Sequence, residues 1–191
     1  MKTDIIFIVG PQGSGKGTQA KLLAEKLGFF WWDMGQVLRE ERDWKLKDSM
    51  TVGEIIDKGI LLSDEQVLEV FKARMAKLPP GKGVIFDGIP RRVGQADYLF
   101  DFLKKQGKDD FITLYVSLPR EESMKRLLRR AAIEMRSDDT PEGIELRLKQ
   151  YEDATLPVLE YLKAHTKFIQ IDGTPAIPEV TREIEKALEL E

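Results

Sequence analysis

Residues 5–18 read Ile5-Ile6-Phe7-Ile8-Val9-Gly10-Pro11-Gln12-Gly13-Ser14-Gly15-Lys16-Gly17-Thr18. The first five are uninterrupted apolar residues, the pattern of a strand buried in a parallel sheet. From Thr18 to Leu27 the apolar positions are 20, 22, 23 and 27, which suit one face of a helix. Between strand and helix, Gly10 and Gly15-Lys16 have the spacing of a phosphate-binding loop, in the setting that motif requires. The glycines let the backbone turn tightly and aim successive N–H groups at an anion. The helix N-terminus adds partial positive charge, and the Lys16 ammonium can reach the outer phosphates. Gly13, Ser14, Gly15, Lys16, Gly17 and Thr18 are therefore the candidate phosphate-holding residues. The implied ligand is a nucleoside triphosphate.

Composition narrows the class. A chain of 191 residues holds one sizeable domain, with room for small inserted lobes. Its longest apolar stretches run to five or six residues, too short to span a membrane. The N-terminus enters a strand within a few residues, which leaves no room for a signal peptide and makes the cytoplasm the expected location. With no cysteine, disulfides and thiolate metal sites are excluded. A net charge of −3 argues against a broad nucleic-acid surface. His165 is the only histidine; it closes a helical pattern, and we read it as a solvent-facing residue favourable to the helix dipole.

Strand-like runs recur at 5–9, 29–32, 84–86, 111–118 and 167–171. Helical patterns lie between or after them at 17–27, 34–43, 51–58, 64–77, 93–106, 120–135, 141–164 and 178–190. This alternation predicts crossover units wound on a parallel sheet, an α/β fold. Three helical segments separate the runs at 29–32 and 84–86, too many for one crossover, so a small lobe is expected over the sheet's C-terminal edge. A polar break around 131–140, before Pro141 opens another helix, predicts a second. Trp31, Trp32 and Trp44 read as packing aromatics of the first lobe.

A second chemical segment is Gly83-Val84-Ile85-Phe86-Asp87-Gly88-Ile89-Pro90-Arg91, followed by Gln95. An acid at the C-terminal end of a buried strand lies where open α/β sheets bind ligands. Asp87 suits the water shell of Mg²⁺, which takes one or two carboxylates together with substrate phosphates. Gly88 permits close backbone approach, Arg91 offers a fork matched to phosphate, and Gln95 offers a donor and an acceptor to the edge of a purine. Taken alone, the segment also reads as an Asp-Gly turn before a surface arginine.

Together these segments resemble adenylate kinases and related nucleoside monophosphate kinases. Gly-Pro-x-Gly-Ser-Gly-Lys-Gly-Thr is similar to their loop, with its hydroxyl at Thr18 and Gly17 directly after Lys16. Asp87-Gly88-Ile89-Pro90-Arg91 with Gln95 is similar to their Asp-Gly-(aromatic)-Pro-Arg-x-x-x-Gln, with Ile89 where an aromatic is usual. Asp33-Met34-Gly35-Gln36-Val37-Leu38-Arg39 resembles the Ser-Thr-Gly-Asp-x-Leu-Arg start of the acceptor-binding helix; Asp33, Met34 and Gln36 replace Ser, Thr and Asp. Residues 59–67 resemble Gly-x-Leu-Val-Pro-Asp-Glu-x-Val, and independently Ser63 with Gln66 forms a capping box. Arg126, Arg130, Arg136, Asp138, Asp139 and Arg147, with Tyr151 and Pro157 beyond, look like the arginine-bearing lid of short-lid forms.

The resemblance covers roughly residues 5–175. It implies a single P-loop domain of three layers, α/β/α, on a five-stranded parallel sheet, with a helical NMP-binding lobe at about 33–62 and a short lid at about 131–140. The implied reaction is Mg·ATP + AMP ⇌ 2 ADP, carried out by a monomer without zinc. Arg126 and Arg130 would join the loop in binding ATP. Met34, Arg39, Leu61, Leu62, Gly88, Arg91, Gln95, Arg136 and Arg147 would bind AMP. Lys16, Arg91, Arg130, Arg136 and Arg147 would be catalytic, Asp87 would hold Mg²⁺ through water, and Asp138 and Asp139 would hold the closed lid. Gln95 stands where the family contacts adenine, whereas Met34 leaves UMP or CMP open as acceptor on the same fold. A nucleotide-binding module without catalysis is the alternative from another class, and retention of Lys16, Asp87 and the lid arginines speaks against it.

Overall fold

The computed structural model describes residues 3–47, 50–58, 62–76, 81–134 and 140–190. Its strands are β1 (Ile5–Val9), β2 (Phe30–Asp33), β3 (Val84–Asp87), β4 (Phe111–Ser117) and β5 (Lys167–Asp172). Its α-helices are α1 (Lys16–Leu27), α2 (Met34–Glu40), α3 (Val52–Ile56), α4 (Asp64–Met75), α5 (Val93–Lys104), α6 (Arg120–Glu134), α7 (Pro141–Gln150), α8 (Leu156–His165) and α9 (Ile177–Ala187). All strand pairs are parallel, in the order β2-β3-β1-β4-β5. This is the parallel α/β architecture that the alternating pattern implied, with the five strands that the resemblance implied.

The central strand explains the layers. Successive residues of β1 point to opposite faces, and no residue of it is more than 4% exposed. Ile5, Phe7 and Val9 join Trp32, Phe71 and Phe86 in an apolar cluster that extends to α2, α3, α4, α5 and α8. Ile6 and Ile8 join Ile85 and Leu114 in a second cluster, against Leu23 of α1 and Ile184 of α9. Helices thus cover both faces.

The three helical segments expected between β2 and β3 are present as α2, α3 and α4. Val37, Ile55 and Phe71 from these helices belong to the same cluster as the sheet residues. Trp31 and Trp32 need a correction: both lie in β2 of the sheet, on opposite faces, and only Trp44 packs from the connection after α2. The capping box at Ser63 forms, with the Ser63 N–H donating to Gln66 Oε1 at 2.8 Å. His165 is exposed in the last turn of α8, its ring stacked on Tyr161 with centroids 4.0 Å apart.

One element departs from the periodicity. The pattern over 141–164 predicts a single helix, but residues Tyr151–Thr155 form a π turn between α7 and α8. Pro157 accounts for it. Proline has no N–H for the Asp153 carbonyl, and its ring crowds that same carbonyl. The Leu156 N–H reaches back to Tyr151 O instead, so the ladder slips by one residue. Among the described residues no helix is long and apolar enough to cross a membrane.

Candidate active site

The chain leaves β1 through Gly10, where an added Cβ would lie 2.3 Å from the Val116 carbonyl oxygen of β4. Only glycine lets the loop pass there. Gly15, at φ 85°, takes the left-handed conformation that turns the chain into α1. Lys16 opens the helix, and its Nζ lies 3.4 Å from the Pro11 carbonyl across the loop. Burial lowers its pKa below the ordinary lysine value, and the Asp87 carboxylate opposes that shift. Ser14 Oγ and Gln12 Oε1 are buried without hydrogen-bond partners. Polar atoms so placed are costly unless a ligand or water meets them.

Strand β3 delivers Asp87 to the same place. A Cβ on Gly17 would stand 3.2 Å from Asp87 Oδ2, so a larger residue after Lys16 would crowd the carboxylate. Asp87 is 5% exposed, and its Oδ1 has no hydrogen-bond partner. Burial pushes its pKa up to about 6; Lys16 and Arg91 pull it down, while Asp33 pushes it up. A buried carboxylate with an orphaned oxygen beside a phosphate loop fits Mg²⁺, a hard cation that keeps several waters.

On the other side of Asp87 the chain turns through Gly88. A Cβ there would lie 3.3 Å from Arg91 Nη2 and 3.6 Å from Met34 Cβ, so three of the expected acceptor residues meet at this point. Arg91 Nε donates to the Gly88 carbonyl at 2.9 Å, and the Arg91 N–H donates to Gln95 Oε1 at 2.8 Å. That second bond fixes the amide of Gln95. One of the oxygen's two lone pairs is used there, which leaves the NH₂ and the second lone pair to meet a ligand. Gln95 lines a pocket of about 100 Å³ between α4 and α5, together with Asp64, Val67, Phe71, Ile89 and Tyr98.

The remaining expected residues divide. Arg39, on α2, points its Nη2 at Asp33 Oδ2 from 3.7 Å. Leu62 is 3% exposed and packs into the core, so its side chain serves the fold. Arg126 is tied down: Nε donates to Glu122, Nη1 to the Gly173 carbonyl at 2.9 Å and Nη2 to the Thr174 carbonyl at 2.8 Å. The charge of Arg130 acts on Lys16, and that of Arg147 acts on Arg91. Thr18 is exposed in the first turn of α1. Leu61, Arg136, Asp138 and Asp139 lie outside the described residues.

The family model for adenylate kinase matches residues 8–167, from the phosphate loop to β5. The chain belongs to the adenylate kinase family. An adenylate kinase of Bacteroides fragilis is 37% identical over 184 residues, 96% of this chain and 97% of the relative. One of Thermus thermophilus is 36% identical over 183 residues, 96% of each chain. One of Xanthomonas euvesicatoria is 34% identical, over 96% of this chain and 98% of the relative. The activity is therefore that of an adenylate kinase, a phosphotransferase, and the family works on Mg-ATP.

Two features of the candidate site escaped the sequence. Asp33 entered it only as a departure from the family pattern, yet it pairs in register with Asp87. The signal was the acid at the end of a strand-like run, the argument already applied to Asp87. Gln12, Tyr151 and Thr155 line a second pocket with Lys16, Gly88 and Arg91. The π turn presents Tyr151 and Thr155 there, and helical periodicity carried no sign of it.

Proposed function

We propose that the chain transfers the terminal phosphoryl group of Mg·ATP to AMP at the cluster Lys16–Asp87–Arg91. The observation carrying this reading is that Lys16 of the donor loop and Gly88 and Arg91 of the acceptor segment line one pocket, with the buried Asp87 carboxylate against Gly17 beside it. Donor and acceptor phosphates brought by the two cations would meet there. The loop amides from Gly13 to Thr18, with Lys16, hold the donor phosphates. Arg91 and Arg39 hold the acceptor phosphate. Arg130 and Arg147, with Arg136 of the polar segment, neutralise charge that builds on the transferring group, where fixed cations lower the barrier most. The attacking atom is an oxygen of a phosphate that is already anionic, so no protein base is required.

Asp87 would hold Mg²⁺ through its waters. When bound, that ion neutralises charge on the donor oxygens. Arg126, fixed on the carbonyls of Gly173 and Thr174, offers the flat face of its guanidinium to the donor base. A lobe at about 33–62, carrying Met34, Leu61 and Leu62, and a lid at about 131–140 would close over both nucleotides and exclude water as a competing acceptor. Every residue in this scheme comes from one chain, as a monomer needs. The cysteine-free composition suits the cytoplasm and provides no zinc ligands of that kind.

The acceptor base follows from Gln95. Its NH₂ is a donor, which complements the ring acceptor at N1 of adenine and opposes the N3–H of uracil and the N1–H of guanine; N3 of cytosine is an acceptor too, so against CMP the reading rests on the family. AMP is therefore expected to exceed UMP, CMP and GMP in kcat/KM when the four acceptors are compared with ATP as donor. Equal or better turnover of UMP or CMP would overturn the base assignment and leave the donor site standing.

A further inference from the structure

In the family pattern Ser precedes the acceptor helix and an acid follows three residues later. Here Asp33 stands at the first position and Gln36 at the second. One negative charge is retained but displaced. Asp33, the last residue of β2, pairs in register with Asp87, the last residue of β3. Adjacent strands lie about 4.8 Å apart and register partners face the same side, so two acids stand side by side at the C-terminal edge of the sheet.

Like charges placed directly opposite destabilise a sheet, so the pair needs a reason. Helix capping supplies part of one, because Asp33 Oδ1 accepts the Gln36 N–H at 3.1 Å. Serine or asparagine would cap as well, and neither would bring a charge. The other oxygen, Oδ2, is 3.7 Å from Arg39, beyond hydrogen-bond reach. Across the register Asp87 is 5% exposed with Oδ1 unpartnered, although Lys16 and Arg91 are close enough to act on it. Two adjoining carboxylates thus keep unused acceptor capacity beside the phosphate loop.

We propose that Asp33 is the second carboxylate of the Mg²⁺ site, accepting hydrogen bonds from metal-bound water alongside Asp87 and so positioning the ion against the donor phosphates. The inference rests on the reading that Asp87 serves Mg·ATP. It makes Asp33 a positioning residue that acts through water, in keeping with the reluctance of Mg²⁺ to shed its hydration shell.

The test measures coupling between nucleotide and metal and needs no turnover. Calorimetric titration of ATP into the full-length chain, with and without Mg²⁺, gives the factor by which the ion tightens binding. Asp33→Asn keeps the cap and removes the charge, so the melting temperature should hold while the coupling factor falls about tenfold, the lower range for losing an outer-shell partner. Asp33→Ser, which restores the family's usual residue, should lose the same factor. Asp87→Asn should lose at least as much. Wild-type coupling in either Asp33 variant, with Asp87→Asn impaired, overturns the role of Asp33 and leaves the Asp87 site intact. Wild-type coupling in all three overturns the reading of the Mg²⁺ site itself.

Discussion

Along the C-terminal edge of the sheet, Lys16 opens α1 and Asp87 ends β3, and Ser14 Oγ, Gln12 Oε1 and Asp87 Oδ1 are buried there without partners. On the helices around it the arrangement is the reverse. Arg126 already holds the carbonyls of Gly173 and Thr174, Arg147 Nε donates to the Gly143 carbonyl at 3.3 Å, and Arg39 faces Asp33. The edge keeps its polar atoms unpaired and its charges desolvated before any nucleotide arrives, at a cost to stability. The helix-borne groups keep internal partners and need only exchange them. Groups of the first kind are preorganised for the transition state, where fixed dipoles and charges act most strongly. Those of the second kind come into play as the nucleotides arrive, Arg147 on the transferring group and Arg39 and Arg126 on the bound nucleotides in the proposed scheme.

The sharpest way to break this contrast is Lys16→Ala. Removing a fixed charge that the transition state needs should slow phosphoryl transfer by roughly 10²–10³-fold, with the fold unchanged by circular dichroism. Near-normal turnover would place Lys16 with the adaptable groups and sink the phosphate site.

Asp87→Asn tests the stability cost. The folded-state pKa of about 6 lies above the ordinary 3.8, so the native state binds this proton more tightly than the unfolded chain does. The carboxyl therefore favours the fold at low pH, and that contribution is lost as pH rises from about 4 through about 6. The asparagine variant should melt higher than wild type at pH 8, by up to about 3 kcal/mol in stability, and the gain should vanish near pH 4. A lower melting temperature at pH 8 would mean that Asp87 stabilises the edge it was taken to strain.

Gln95→Ala probes the acceptor side and should act more gently. Losing one hydrogen-bonding partner of the base should raise the AMP KM by about tenfold, with a smaller effect on kcat, and narrow the preference over CMP and UMP. A collapse of kcat at constant KM would place Gln95 among the preorganised groups. Met34→Thr, back to the family's usual residue, should keep turnover while lowering the melting temperature, because Met34 is 3% exposed and packed in the core.

Much of this site was legible along the chain. The strand, glycine loop and helix at 5–27, the acid ending the run at 84–87 and the Ser63–Gln66 cap depend on residues near one another in sequence. The structure brings Met34, Gly88 and Arg91 to one point, and it places the Arg130 charge near Lys16. Other features had no such signature. Trp31 and Trp32 read as lobe aromatics although 29–32 reads as strand-like, because nothing local shows that this run joins the sheet, where Trp32 is buried on one face and Trp31 half-buried on the other. The proline behind the π turn was visible at 157, beyond the turn itself, but its effect fell on a carbonyl four residues earlier.

By itself the sequence determined whatever rests on local backbone preference and hydrophobic period: which segments are strands, which are helices, where glycine must turn the chain and where a phosphate can sit. Only the tertiary structure decided how distant segments line up. The register of β2 against β3 set Asp33 beside Asp87, the approach of β3 to α1 left little room for a side chain at Gly17, and the Arg91 N–H fixed the orientation of the Gln95 amide. Parallel strands joined by long crossovers carry no local record of their register. That alignment comes from packing both faces of the sheet at once, and it places the charges on which the chemistry depends.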